Sequence, residues 1–255
     1  MRRVGTLIAA ALVSLAYSSP ARSQEEGAAD HAAGVEGDEP ALPAAPPAAA
    51  GPKDTAASLV AEADRELRAM RSSAYEHHTA IDESAGSFVY DCSGFVDYAL
   101  RGAAPAAFAE LTQATVRRPL ARHFEGFFAG IAPGTKRGHW ARVARVGDLR
   151  PGDIIAWLQP ADSTSKNTGH VLVVHGAPRP DDTAPGAFLV PVVDSTALKH
   201  GAQDSRAASG ATGLGTGSIV LLGDASGAPA AFRWSTGRKS RIRETAITLG
   251  RLVSP

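Results

Sequence analysis

The chain has one cysteine, Cys92, among 255 residues. An internal disulfide is therefore impossible, and there is no cysteine pair from which to build a structural zinc site. Charge of one sign is also missing. Lys and Arg together number 26, and so do Asp and Glu. That balance removes any bulk electrostatic argument for a nucleic-acid or anionic-lipid partner. Only one apolar run stands out, Val4 to Tyr17, and it is short for a membrane span. No cysteine follows it, which excludes lipid attachment at that place. The chain has no internal repeat.

What is present at the start reads as a secretory signal peptide over residues 1–23. Arg2 and Arg3 form its basic head, and Ala21-Arg22-Ser23 supplies small residues before a cleavage point at Gln24. The alternative is an uncleaved N-terminal anchor. The first reading predicts a secreted or periplasmic protein with no stable membrane insertion after cleavage. Residues 24–53 are rich in Ala, Pro and Gly and contain no aromatic side chain. Such a segment buries too little to order itself and is expected to act as a linker. Residues 54–255 are then one domain of ordinary size.

Within that domain the periodicity changes part-way along. Leu59, Ala63, Leu67 and Met70 recur at helical spacing, with Asp54 as the expected cap. Tyr75 to Tyr90 reads as a loop. A helix is expected from Cys92 to Arg101, ended by Gly102, with Phe95, Val96, Ala99 and Leu100 inward. A further helical stretch is expected around Pro105 to Phe128. Strand signals follow. Arg150-Pro151-Gly152-Asp153 is a turn into Ile154 to Trp157. His170 to His175, Phe188 to Asp194, Ser218 to Leu222, Ala231 to Trp234 and Ala246 to Val253 are expected strands. Pro191 marks an edge or a bulge. Helices first and short strands after them predict an α+β fold with an antiparallel sheet.

Cys92 is the expected centre of chemistry. It sits in Asp91-Cys92-Ser93-Gly94-Phe95-Val96, where a helix begins, and the positive end of the helix dipole should favour its thiolate. A thiol nucleophile needs a base, and the base needs a group to orient it. His170 suits the first role: it follows Gly169 and opens an apolar strand. Alternation puts His170, Leu172 and Val174 on one face, and Val171, Val173 and His175 on the other. Asp194, closing another strand, suits the second role, or else only starts a turn. His200 is an alternative third member. Arg206 either grips a substrate carboxylate or pairs with Asp204 in a solvated loop. Gly213-Leu214-Gly215-Thr216-Gly217 lacks the strand-to-helix context of a phosphate loop and is expected to be a flexible turn. His77 and His78 are expected to be surface loop residues with no metal partner. No cofactor is expected.

Asp91-Cys92-Ser93-Gly94-Phe95-Val96, the Leu149 to Asp153 turn before a strand, and Gly169-His170-Val171 occur in an order that resembles the NlpC-type cell-wall cysteine peptidases. The resemblance covers about Ser72 to Val220. It implies a papain-like fold, with the cysteine helix packed on an antiparallel sheet. It also implies cleavage of peptide or amide bonds, in peptidoglycan stem peptides or a related substrate. Carried over, Cys92 is the nucleophile, His170 the base and Asp194 the third residue, where the family often has His, Asn or Gln. Tyr75, Asp91, Ser93, His200 and Arg206 are the residues expected to bind substrate. The segment before the cysteine is longer and more polar than the family's, and Gly102 to Val146 is longer than a minimal member needs. Two alternatives remain open: a silent peptidoglycan-binding module, and an acyltransferase on the same fold.

Overall fold

The computed structural model describes residues 54–165 and 167–255. The expected signal peptide and linker lie outside the described residues. Among the described residues, four α-helices pack on one side of a large antiparallel sheet, so the fold is α+β. No helix among the described residues is long and apolar enough to cross a membrane.

Helix α1 runs Ala56–Ala69 and is capped by Thr55, whose side chain and Ser58 form a reciprocal capping box. Asp54 therefore does not cap α1. Its carboxylate instead accepts the N–H groups of Ala106 and Ala107, at 3.0 and 3.1 Å, and so caps a different helix. Helix α2, Cys92–Ala103, is the central helix. Phe95, Val96, Ala99 and Leu100 have no exposed surface. Burying a side chain such as Phe95 or Leu100 is worth about 1.5–3 kcal/mol. The helical stretch after Gly102 is two helices, α3 (Pro105–Ala114) and α4 (Ala121–Ala129). Pro119 explains the break, because a proline disfavours helical backbone at the residue before it.

Tyr75 to Tyr90 is not simply a loop. Strands β1 (Ser72–Ala74), β2 (Ala80–Asp82) and β3 (Ser87–Val89) form a small sheet around it, in the order β1-β3-β2. At three residues each they are too short to carry an alternation that can be read. The main sheet contains β4 (Lys136–Arg137), β5 (Trp140–Arg142), β6 (Ile154–Leu158), β7 (Gly169–Val174), β8 (Arg179–Pro180), β9 (Ala187–Thr196), β10 (Gly213–Gly223), β11 (Pro229–Arg233), β12 (Ile242–Glu244) and β13 (Ile247–Leu252). Its order is β12-β11-β10-β9-β7-β6-β13-β5-β4, with β8 paired on β9.

The sheet has a core on each face. Val171, Val173, Ile154, Ala156 and Val193 join the helices. Leu172, Val174, Ile155, Trp157, Val190 and Val192 join β10, β11 and β13 on the other face. The alternation expected along β7 is thus observed.

The segment from Gly213 to Gly217 is strand, not a flexible turn: it forms the first half of β10. Gly213, Gly215 and Gly217 lie directly across from Thr196, Asp194 and Val192 of β9. These alternate glycines leave one face of the strand bare. A Cβ on Gly215 would sit 2.8 Å from Arg206 Nε, and one on Gly217 would sit 2.8 Å from the His200 side chain. Gly215 and Gly217 make room for the loop between β9 and β10, and Gly213 makes room for Ser73 and Ala74 of β1.

Candidate active site

Asp91 is the N-cap of α2. Its Oδ1 accepts the Gly94 N–H at 2.7 Å and the Ser93 hydroxyl at 2.9 Å. Its Oδ2 faces Arg118 Nη2 at 3.3 Å and His77 Nδ1 at 3.7 Å. Asp91 and Ser93 are buried and committed to the helix start, so neither is free to bind substrate as expected. His77 is a surface residue, but it leans on Asp91, which raises its pKa. Arg118 was not legible in the sequence. It reaches Asp91 from the connection between α3 and α4, 27 residues along the chain.

Cys92 is the first residue of α2 and is 6% exposed. Its thiol receives the backbone N–H groups of Val171 and Ser93. The Val171 contact follows from the sheet. The β7–β9 ladder is paired at Val173↔Val193 and Val174↔Val192. Val171 shares the backbone direction of Val173, so its N–H points into the opening beyond the last pair. The start of α2 fills that opening, so the thiol lies against the backbone of the residue that follows His170.

His170 is buried and packs against Trp157 and Trp234, at ring separations of 5.2 and 5.0 Å. Its Nε2 lies 2.7 Å from Asp194 Oδ2. The ionised carboxylate can only accept, so Nε2 carries the proton and Nδ1 keeps its lone pair. No hydrogen bond joins the imidazole and the thiol among the described residues. Asp194 has no exposed surface. Burial alone would raise its pKa, but His200 and His170 outweigh burial and hold it well below the usual carboxylate range.

His200 is the second imidazole on Asp194, with Nε2 at 2.9 Å from the same Oδ2. It does not touch His170 in place of Asp194; it stands behind the carboxylate. Arg206 is 3% exposed and fully engaged. It donates twice to Asp204, to Asp194 Oδ1 at 3.1 Å, and to the carbonyls of Asp194 and Gly213. The expectation that Arg206 grips a substrate carboxylate therefore fails, because every fork of the guanidinium already has an internal acceptor. The solvated-loop alternative fails too, since Asp204, Arg206 and His200 are all buried. Trp157 and Trp234, which wall His170, gave no sequence signal beyond being large and apolar.

Electrostatics revise one expectation about the thiol. Its pKa is raised, not lowered. Burial is the largest cause, followed by the negative charge of Asp91, and Asp194 adds to it. The Val171 and Ser93 N–H groups oppose this without overcoming it. His170 is shifted the other way: burial lowers its pKa, and Asp194 only partly compensates. At rest the thiol and the His170 imidazole are thus both neutral. Tyr75 joins the same neighbourhood. Burial is the largest cause that pushes its hydroxyl up, and the charges of Asp91 and Asp194 add to it, so it stays protonated within electrostatic reach of the thiol.

No group of three or more His, Cys, Asp or Glu among the described residues could hold a metal ion. A cavity of about 490 Å³ lies between the α3–α4 connection, α4 and Arg137, and shares no lining residue with the Cys92–His170–Asp194 cluster. The chemistry of the buried cluster outweighs that surface hollow as a guide to the site.

No protein-family model matches the chain, and no solved structure matches it. An uncharacterized protein of Acanthamoeba polyphaga mimivirus is 30% identical over 182 residues, covering 64% of this chain and 78% of the viral one. The chain belongs to the family of that viral protein. Its name carries no activity, so the chemistry must be argued from the site.

Proposed function

We propose that this chain is an exported cysteine hydrolase of papain-like, NlpC-type architecture, acting on peptide or amide bonds of peptidoglycan stems or a related substrate. Its place of action on this reading is secreted or periplasmic. The observation that carries the reading is the His170–Asp194 contact beside a helix-start cysteine. The nature of the substrate rests on the ordered motifs alone.

In this mechanism His170 Nδ1 takes the proton from Cys92 Sγ as the sulfur attacks the scissile carbonyl carbon. Asp194 accepts from Nε2 and stabilises the imidazolium that forms. The oxyanion is met by the Cys92 N–H, one of the first-turn amides that no carbonyl within the helix can satisfy. The protonated Tyr75 hydroxyl is the second donor. His170 then gives its proton to the departing amine, leaving a thioester. Water, deprotonated by the same imidazole, attacks the thioester and returns the thiol. Because the thiol is neutral at rest, proton transfer accompanies attack rather than preceding it.

The test is fragment release from purified peptidoglycan by residues 24–255. Cys92→Ala should abolish release, and intact release by that variant would sink the mechanism. One observation favours a second reading, a silent peptidoglycan-binding module: the thiol is buried and held protonated. That reading predicts retention on peptidoglycan with no fragment released by the unaltered protein.

A further inference from the structure

His200 has an acceptor on each ring nitrogen. Nδ1 lies 2.9 Å from the Trp234 carbonyl oxygen, and Nε2 lies 2.9 Å from Asp194 Oδ2. A carbonyl oxygen can only accept, and so can an ionised carboxylate. Both nitrogens must therefore carry protons. Asp194 stays ionised: burial would raise its pKa, but His200 and His170 hold it well below the usual carboxylate range, and Arg206 donates to its other oxygen. We propose that His200 is a permanent buried imidazolium, a positioning residue that aims Asp194 at His170 and keeps the His170 imidazole uncharged at rest.

The surroundings suit a cation. The His200 ring lies on Trp234, with centroids 4.4 Å apart and planes 35° from parallel, an arrangement that favours a charged ring over an aromatic face. The groups facing it come from several elements. Asp194 comes from β9, and Asp204 accepts the His200 backbone N–H at 2.8 Å. Arg206 bridges Asp204 and Asp194. His170, from β7, shares the Asp194 oxygen. Beyond His170 stands the thiol, with Asp91 and Tyr75 near it. Two buried anions, Asp194 and Asp204, thus meet two buried cations, His200 and Arg206. The quartet is neutral only if His200 is charged.

That neutrality has a chemical consequence. Asp194 alone would draw a second proton onto His170. With the imidazolium behind it, much of that pull is spent, and the positive charges of His200 and Arg206 both oppose charging His170. His200 itself shifts upward: burial works against its charge, and the Asp194 carboxylate and the Trp234 carbonyl overcome burial. Two histidines on one carboxylate oxygen are driven in opposite directions, and His200 is the one that takes the proton. The effect on turnover rests on the hydrolase reading, whereas the protonation states do not.

The experiment is nitrogen-15 NMR of the histidine rings in the full chain, followed across pH, beside the pH profile of Cys92 alkylation by iodoacetamide. In the unaltered protein His200 should show two protonated nitrogens at pH 7 and above, while His170 shows one. His200→Gln removes the charge but keeps a donor. It should raise the His170 midpoint by roughly one pH unit and move Cys92 alkylation to lower pH, as a thiolate–imidazolium pair becomes accessible. His200→Lys, which keeps a cation, should return both profiles toward the starting values. A singly protonated His200 at pH 7 overturns the proposal, and so do His170 and Cys92 profiles that ignore His200→Gln. If the variants fail to fold, the spectrum of the unaltered protein decides alone. A charged His200 in a protein that releases no fragments keeps this inference and removes the hydrolase reading.

Discussion

Asp91 and Asp194 invite comparison because both are buried carboxylates whose charge raises the pKa of the same thiol. Each also has cationic neighbours. The neighbours differ. Those of Asp91 lie toward solvent, with His77 37% exposed and Arg118 17%, and the carboxylate's closest contacts are to its own helix. Those of Asp194, the cations of His200 and Arg206, are almost wholly enclosed, and so is the neutral His170 beside them. The first carboxylate shapes the backbone around the cysteine. The second sets the protonation of the histidines. The difference teaches that nearness to a nucleophile does not assign a role; the company a charge keeps does.

Breaking the enclosed cluster should have the largest effect. Asp194→Ala leaves buried cations without their anion and should cost about 3–5 kcal/mol of folding stability in denaturant titration. Asp194→Asn keeps the shape but not the charge, and under the hydrolase reading it should lower turnover on the order of 10⁴-fold. Gly217→Ala pushes a methyl into His200 and to 3.0 Å from Asp204 Oδ2, without removing any charge. We expect a loss of about 1–3 kcal/mol from overpacking, together with a disturbed His200 spectrum. Asp91→Ala should cost only about 1 kcal/mol, the worth of a helix cap. It should also move Cys92 alkylation to lower pH, because a charge that raises the thiol is gone. Arg118→Ala should be smallest, under about 1 kcal/mol by thermal melting, as a long and partly exposed ion pair.

The pH dependence of stability sharpens the contrast. Asp91 and Asp194 have lowered pKa values in the fold, so their contribution is present above the ordinary carboxylate range and is lost as pH falls through the folded values. His200 is raised, so its contribution is complete below the ordinary histidine value and fades as pH rises through the folded one. His170 is lowered and acts oppositely, weakening the fold as pH drops below its ordinary value. Melting curves of His200→Gln should therefore lose the alkaline limb of the stability profile and keep the acid limb. An unchanged alkaline limb would count against a charged His200.

Much of the frame was legible in the sequence, for a physical reason. Helix α2 and strands β6, β7 and β9 bury continuous or alternating apolar residues, and that periodicity survives without tertiary information. The small sheet around Tyr75 was not legible, because strands of three residues are too short to show a period. Within the site, Cys92, His170 and Asp194 stood out by residue type and order. Their setting did not. The thiolate expected from the helix dipole is opposed by burial and by two carboxylates, one of which comes from 102 residues further along the chain. The internal use of Arg206 and His200 was hidden as well. A charged loop between glycines looks solvated until the bare face of β10 is known to receive it.

That bare face can also be written as a spelling rule. His200, Asp204 and Arg206 give His-x3-Asp-x-Arg, and seven residues later Gly213, Gly215 and Gly217 give Gly-x-Gly-x-Gly. The two halves are one device, since Gly215 and Gly217 clear the volume that His200, Asp204 and Arg206 occupy, and Gly213 clears room for Ser73 and Ala74. Searching for both together picks out chains that can house the cation, and a chain with side chains at the glycine positions has no room for it, even where its cysteine and first histidine are intact. The rule sorts distant relatives by a property of their interior that the catalytic letters alone do not report.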